Sequence, residues 1–170
     1  MSITTFDYAL PCKTHNKYDV FFNSFIIHKM ITNVPSMVDK CLLSIKPYLN
    51  DSDNVIVGLD VECLLAKHRG MPNTAAVLQL CIGGECLIFQ ISHASFIPES
   101  LINFLGNKNY KFVGVGIKDD VDKLLRDFSL RVVSFVNLRT LAAIKMSDKA
   151  LKFAGLKTLV LRVAAESRSE

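Results

Sequence analysis

The segment Asn54-Val-Ile-Val-Gly-Leu-Asp-Val-Glu62 decides how this chain is interpreted. Its β-branched, apolar residues at 55–57 are typical of a buried strand. Side chains two apart on a strand share a face, so Asp60 and Glu62 present two carboxylates together at the end of that strand. Like charges repel unless a cation lies between them, and carboxylate oxygens suit Mg²⁺ or Mn²⁺. The segment predicts a divalent-cation site, although two solvated acids at a strand end would have the same sequence.

The order of the remaining segments predicts an α/β fold. A hairpin over 17–31 precedes a helix that Asn33 can cap and that extends to about Tyr48. Strands over 75–82 and 85–91, joined at Gly83-Gly84, form an antiparallel meander with the Asp60 strand. Helices (98–105, 119–128, 139–144, 156–165) then alternate with strands (112–117, 132–138). A meander followed by alternating helices and strands indicates a ribonuclease H-like mixed sheet flanked by helices, although a generic α/β sandwich has a similar pattern.

Composition predicts one globular domain over residues 1–170. Half of the residues are hydrophobic, 21% are charged, and the net charge of +4 allows a polyanionic partner without requiring one. The five cysteines form no C-x-x-C pair and the four histidines show no zinc-like spacing, which favours reduced intracellular thiols. The chain shows no secretory start, and Gly83-Gly84-Glu85 interrupts its most apolar region. We expect a soluble intracellular protein, nuclear or cytoplasmic, with no membrane partner.

Residues 114–125 form a second acidic segment, in which a predicted strand ends at Ile117 and a helix follows. Acids in a first helical turn are favoured by the helix dipole, and one of them can cap the helix. We expect Asp122 to face solvent or to pair with a lysine. A third carboxylate brought beside Asp60 and Glu62 by sheet pairing would complete much of a two-metal site of the kind that cleaves phosphodiesters. The acids in question are Asp119, Asp120 and Asp122.

Four motifs with consistent spacing carry a family resemblance. They are Gly58-Leu-Asp-Val-Glu62, Leu78-Gln-Leu-Cys81, Cys86-Leu-Ile-Phe-Gln-Ile91 and Gly114-Val-Gly-Ile-Lys-Asp-Asp120. Over about residues 50 to 165 the chain resembles the Werner-syndrome-type 3′–5′ exonuclease domains of the RNase D-like DEDD superfamily, and it looks most like the plant members.

The resemblance implies a two-metal 3′–5′ exonuclease. Asp60, Glu62 and Asp120 would be the catalytic residues and the ligands of two Mg²⁺ or Mn²⁺ ions. The substrate would be the 3′ end of DNA or RNA, hydrolysed without reading of the base sequence. His68 and Arg69 lie where a strand end would pass, and Lys118 is placed to hold a backbone phosphate. A solvated surface role for these three side chains remains open.

Two departures from the family qualify this prediction. Cys63 stands where family members commonly carry Trp, which indicates either a tolerated packing change or an altered substrate choice. The Tyr-x-x-x-Asp helix that ends the family domain is absent from the sequence, and the last acids, Glu166 and Glu170, fit a polar frayed tail. We therefore expect a C-terminally truncated domain. The alternative is a catalytically impaired relative that binds nucleic acid or regulates, as a homo-oligomer or paired with full-length subunits.

Overall fold

In a computed structural model of the chain, the residues described are 3–22, 24–45, 55–65 and 72–166. They form one eight-stranded mixed sheet with the strand order β1-β2-β3-β6-β5-β4-β7-β8. The pairs β3/β6, β4/β7 and β7/β8 are parallel, and the other neighbours are antiparallel. The strands are β1 (Ile3–Asp7), β2 (His15–Phe22), β3 (Phe25–Thr32), β4 (Val55–Leu64), β5 (Thr74–Ile82), β6 (Glu85–Phe89), β7 (Tyr110–Gly114) and β8 (Phe135–Asn137).

Five α-helices and two short 3₁₀ helices complete the described part of the fold. None of these helices has the length and apolar character needed to traverse a bilayer. The α-helices are α1 (Pro35–Ser44), α2 (Glu99–Leu105), α3 (Ile117–Phe128), α4 (Leu138–Lys145) and α5 (Leu156–Glu166); the 3₁₀ helices cover Ile91–His93 and Lys149–Phe153.

The two faces of β4 have opposite environments. Its odd-numbered residues from Val55 to Val61 are buried, whereas Ile56, Asp60 and Glu62 on the other face are exposed. Apolar residues of α1, α2 and α3 join the buried face in one continuous core, represented by Leu42, Leu101, Phe104, Ile117, Val121 and Leu124. The helices of this core therefore cover one face of the sheet, and the face that carries the acids is open along β4. We call this second surface the open face.

The sequence prediction of the meander is confirmed, whereas the predicted N-cap of α1 is wrong. β4, β5 and β6 are consecutive antiparallel neighbours, with the β5–β6 turn at Gly83-Gly84 as predicted. The α1 N-cap residue is Val34 rather than Asn33, and no side chain caps this helix. The predicted helix end near Tyr48 falls at 46–54, outside the described residues.

The strand predicted to end at Ile117 ends earlier, because the backbone turns at Gly116. β7 stops at Gly114, and Gly116 has a φ of +77°, in the left-handed region that glycine adopts without a Cβ penalty. Ile117 is fully buried as the first residue of α3, so its apolar character reflects helix packing and not strand burial. The N-cap of α3 is Gly116, and none of the acids in its first turn caps the helix, contrary to expectation.

The prediction of reduced thiols is wrong for one cysteine pair. The β5–β6 register places Cys81 directly opposite Cys86, and the structure joins them in a disulfide with the Cα atoms 4.2 Å apart. Spacing along the chain did not reveal this pair, because its proximity arises from strand pairing. Cys12, Cys41 and Cys63 are free, with Cys12 exposed and Cys41 buried.

Candidate active site

The aspartate of the D-x-E pair lies on the open face and accepts a hydrogen bond from the neighbouring strand. Asp60 pairs with Gln79 across β4 and β5, and the Gln79 Nε2 donates a hydrogen bond of 3.2 Å to the Asp60 Oδ2. Glu62 has the same exposed orientation two residues further on, as the period of a strand requires. A register shift follows between Glu62 and Cys63, which marks a bulge at this end of β4.

Gly114 allows β7, which leads into the second acidic segment, to pack closely against β4, which carries Asp60 and Glu62. β7 lies parallel to β4, with Val113 opposite Gly58. A Cβ built on Gly114 would lie only 2.4 Å from the backbone oxygen of Leu59, the residue before Asp60. Real Cβ atoms do not approach this closely, so only glycine permits the observed packing of the two strands. The start of α3, directly after Gly116, is thereby held against the acidic end of β4.

Asn137 fixes the turn between β7 and α3. The Gly116 N–H donates to the Asn137 Oδ1 at 3.3 Å, and the same oxygen accepts the Arg139 N–H at 3.1 Å as the N-cap of α4. One amide side chain therefore ties the start of α3 to the start of α4.

Asp120 is the buried acid of the site. Its residue is only 9% exposed, and it makes no hydrogen bond or ion pair with other residues of the described ranges. Burial raises the pKa of the Asp120 carboxyl to about 6, and the charge of Asp60 is the next largest cause. Glu62 and Asp119 also raise this pKa, whereas Lys123 lowers it. Asp60 and Glu62 therefore lie within electrostatic range of Asp120.

The chemistry of these three carboxylates fits a hard divalent cation. Their mutual repulsion is not relieved by an ion pair at Asp120, and oxygen donors are the preferred ligands of Mg²⁺ and Mn²⁺. Within 3–22, 24–45, 55–65 and 72–166, however, no group of three His, Cys, Asp or Glu side chains is already arranged to hold a metal ion. The assignment of Asp60, Glu62 and Asp120 as the ligands therefore stays a prediction.

Of the three predicted substrate-binding residues, the structure describes only Lys118. Lys118 is exposed and forms an ion pair with Asp122 one helical turn later, with 2.5 Å between the Nζ and the Oδ2, as expected for Asp122. Because this ion pair is exposed to solvent, the phosphate contact of Lys118 stays a prediction. His68 and Arg69, like the tail at Glu170, lie outside the described residues.

Sequence reasoning missed two residues that shape the site, Gln79 and Gly114. Gln79 is the one amide in an otherwise apolar strand β5, and that exception was the available signal. Gly114 carried a weaker signal, since glycine within a strand often marks a close backbone approach. Identifying the partner of either residue requires the register between strands.

The chain is similar in sequence to known 3′–5′ exonucleases. The sequence profile of the 3′–5′ exonuclease family matches residues 42–167. The chain is 42% identical over 96 residues to the bifunctional 3′–5′ exonuclease/ATP-dependent helicase WRN of Mus musculus, which covers 56% of this chain and 7% of that protein. It is 28% identical over 156 residues to a 3′–5′ exonuclease of Arabidopsis thaliana, covering 89% of this chain and 54% of the relative. The chain therefore spans about half of one relative and a small part of the other.

Among solved structures, the chain is similar to the EXD2 exonuclease domain soaked in Mg and GMP. The TM-score is 0.62 at 22% identity, and the match covers 79% of this chain and 69% of that one. At this level of identity the likeness concerns the fold, and it confirms the predicted ribonuclease H-like architecture.

Proposed function

Because the chain belongs to the 3′–5′ exonuclease family, we propose that it hydrolyses the terminal phosphodiester bond at a nucleic acid 3′ end with Asp60, Glu62 and Asp120 as metal ligands. The observation that carries the proposal is the convergence of acids from separate segments. Burial is the largest cause of the raised pKa of Asp120, and the charges of Asp60 and, to a smaller extent, Glu62 raise it further, although Asp120 lies about 60 positions after Asp60 in the sequence.

The acidic side chains would bind the cations, and Gln79 orients one of the acids. Asp60 and Glu62 offer carboxylate oxygens at the open face, where a strand end has access from solvent. Gln79 fixes the orientation of the Asp60 carboxylate through its hydrogen bond. Mg²⁺ or Mn²⁺, when bound, would neutralise the negative charge that develops on the attacking and leaving oxygens. Asp120 loses its proton more readily when a cation compensates its burial, so cation binding and deprotonation are coupled.

A metal-dependent nuclease assay tests the proposal. We expect release of nucleoside monophosphates from 3′ ends in Mg²⁺ or Mn²⁺, measured on single- and double-stranded oligonucleotides of DNA and RNA. Asp60→Asn should abolish the release, because one ligand amide cannot replace the charge of a carboxylate. Asp122→Asn is the matched control, since this acid lies on the same helix as Asp120 but is exposed and paired with Lys118. Turnover that survives Asp60→Asn would show that the site has been misassigned.

A second candidate is a binding or regulatory protein without full nuclease activity. It is favoured by one finding, that no three potential ligands in the described ranges are arranged as a metal-binding group. Under this alternative the chain would bind oligonucleotides in a salt-sensitive manner without turnover, alone, as a homo-oligomer or paired with a longer relative. Binding and turnover measured on the same oligonucleotide at two salt concentrations distinguish the two candidates.

A further inference from the structure

The open face continues beyond β4 as a row of side chains that crosses the sheet. Residues paired across neighbouring strands share a face, so the register identifies which side chains follow Asp60. β6 lies between β5 and β3, which joins the N-terminal strands to the strands of the site. The row that begins at Asp60 contains Gln79, Ile88, Ile31 and Asn16.

The adjacent row on the open face contains a cation and an aromatic ring on its N-terminal strands. It begins at Gly58, two residues before Asp60, and it reaches β3 and β2 at Lys29 and Tyr18. Asp7 lies at its far end, where the Asp7 Oδ1 accepts a hydrogen bond from the Ala9 N–H. The complete row is Gly58, Cys81, Cys86, Lys29, Tyr18 and Asp7.

Lys29 and Tyr18 are directly paired and available for a ligand. Both side chains are partly exposed. Among the residues that the structure describes, Lys29 makes no ion pair and Tyr18 makes no side-chain hydrogen bond. The half-buried Ile88 and Ile31 lie in the neighbouring row between them and Asp60, where they provide an apolar floor. An ammonium group, a phenol ring and an apolar floor are the groups that bind phosphates and bases of a single strand.

We propose that Tyr18 and Lys29 bind the single-stranded part of the substrate on the 5′ side of its terminal nucleotide. This inference rests on the proposed function. Strand spacing places β3 and β2 about 14 and 19 Å from β4, which corresponds to about four to six nucleotides at the 3.4 Å rise of a stacked strand. The 3′ end would lie at Asp60 while the preceding nucleotides cross β5 and β6, with a base stacked on Tyr18 and a phosphate beside Lys29.

Two observations favour nucleic acid as the occupant of this surface. The surface is continuous with the acids of the candidate site, so a strand whose end is held there can reach it without leaving the open face. The ammonium group of Lys29 on β3 complements phosphate. The hairpin that supplies both side chains precedes the family-matched residues 42–167, so the proposed contact does not follow from the family match.

Length-dependent binding provides the first test. Fluorescence anisotropy in EDTA, which prevents cleavage, would compare oligothymidylates of three and twelve nucleotides, with a twelve-nucleotide oligouridylate to compare RNA. We expect Lys29→Gln to weaken twelve-nucleotide binding about two- to fivefold. Tyr18→Leu, which keeps apolar bulk but removes the ring, should weaken it at least about fivefold. Neither variant should change binding of the three-nucleotide probe.

Lys17→Gln is the matched control. Lys17 is an exposed lysine of β2, but its side chain lies on the face of the sheet opposite that of Tyr18. We expect it to leave twelve-nucleotide binding unchanged. An equal loss for Lys17→Gln and Lys29→Gln would overturn the inference, because the effect would then be one of net charge. Unchanged binding in both Lys29→Gln and Tyr18→Leu would also overturn it.

Crosslinking separates this inference from the proposed function. Oligonucleotides with a single 4-thiouridine at different distances from the 3′ end would be irradiated on the wild-type chain in EDTA. We expect adducts on β2 or β3 when the label lies about four to six nucleotides from the end. Adducts only elsewhere would overturn the placement. A chain that gives these adducts but releases no nucleotide in Mg²⁺ or Mn²⁺ would retain the surface and lose the nuclease proposal.

Discussion

The two faces of β4 differ in burial and in charge. One face buries Val57 and Leu59 against the helices, whereas the other carries Ile56, which is 63% exposed, and Asp60 further along the strand. Alternation along a strand assigns these roles to successive residues. The comparison teaches that the same ten residues stabilise the fold on one face and concentrate negative charge on the other. Substitutions on the two faces should therefore separate stability from activity.

The largest expected effect is the loss of activity on the open face. Asp60→Asn should reduce the nucleotide release rate by at least about 10³-fold, because the cation loses a charged ligand. Asp60 is exposed and its charge opposes the ionisation of Asp120, so the substitution should not lower the free energy of unfolding by more than about 0.5 kcal/mol. Single-turnover kinetics and urea unfolding of the same preparation measure both quantities. A large loss of stability with retained turnover would reverse the roles assigned to this face.

A substitution on the covered face should have the opposite signature. Leu59→Ala, one residue before Asp60, removes a fully packed side chain that is 3% exposed, so we expect a destabilisation of about 2–5 kcal/mol in urea unfolding. Ile56→Ala is the control on the open face and should change stability by less than about 0.5 kcal/mol. Equal destabilisation by the two substitutions would show that the open face is covered in solution.

Asp120 is both buried and acidic, and the dependence of stability on pH tests how these two properties act together. Its carboxyl has a pKa of about 6 in the folded chain against an ordinary 3.8, so the folded state binds the proton more tightly. The free energy of unfolding of the metal-free chain should fall by up to about 3 kcal/mol as the pH rises from about 4 to 6. Above pH 6 this carboxyl should change the stability little. Asp120→Asn should remove this dependence and stabilise the metal-free chain at pH 7.5. Unfolding in EDTA across this pH range, with Asp122→Asn as control, measures it.

The smallest predicted effect concerns the approach of β7 to β4. Gly114→Ala would place a Cβ against the Leu59 oxygen, so we expect a destabilisation of about 1–3 kcal/mol and reduced turnover from displacement of α3. Gly155→Ala is the matched control, because a Cβ there meets no atom within 4 Å. Thermal unfolding and the nuclease assay on both variants test it. A Gly114→Ala chain with wild-type stability and turnover would show that the close approach is not required.

Features that depend on one segment were predictable from the sequence. The strand ending in Asp60 and Glu62 and the hairpin at Gly83-Gly84 follow from a period of two and a turn signal, and both are confirmed. The start of α3 was not, because Ile117 continues an apolar pattern that only the positive φ of Gly116 interrupts. Strand β1 was missed for a related reason, since its exposed residues gain order from pairing with β2 and not from burial.

Features that depend on two segments were largely inaccessible. The Gln79 hydrogen bond to Asp60 and the Cys81–Cys86 pair require the register of neighbouring strands. The raised pKa of Asp120 requires knowledge of its burial. The sequence could propose the acids by resemblance, but only the fold brings their charges within range.

The central claim is that Asp60, Glu62 and Asp120 hold cations together, and Mn²⁺-induced stabilisation tests it most directly. A cation that binds only the folded state raises the unfolding temperature by an amount that increases with the logarithm of its affinity. We predict that Mn²⁺ raises the unfolding temperature of the wild-type chain and of Asp122→Asn equally, and that the increase is lost in Asp60→Asn, Glu62→Gln and Asp120→Asn. An undiminished Mn²⁺ increase in Asp120→Asn would contradict the account, because the buried acid would then take no part in the site.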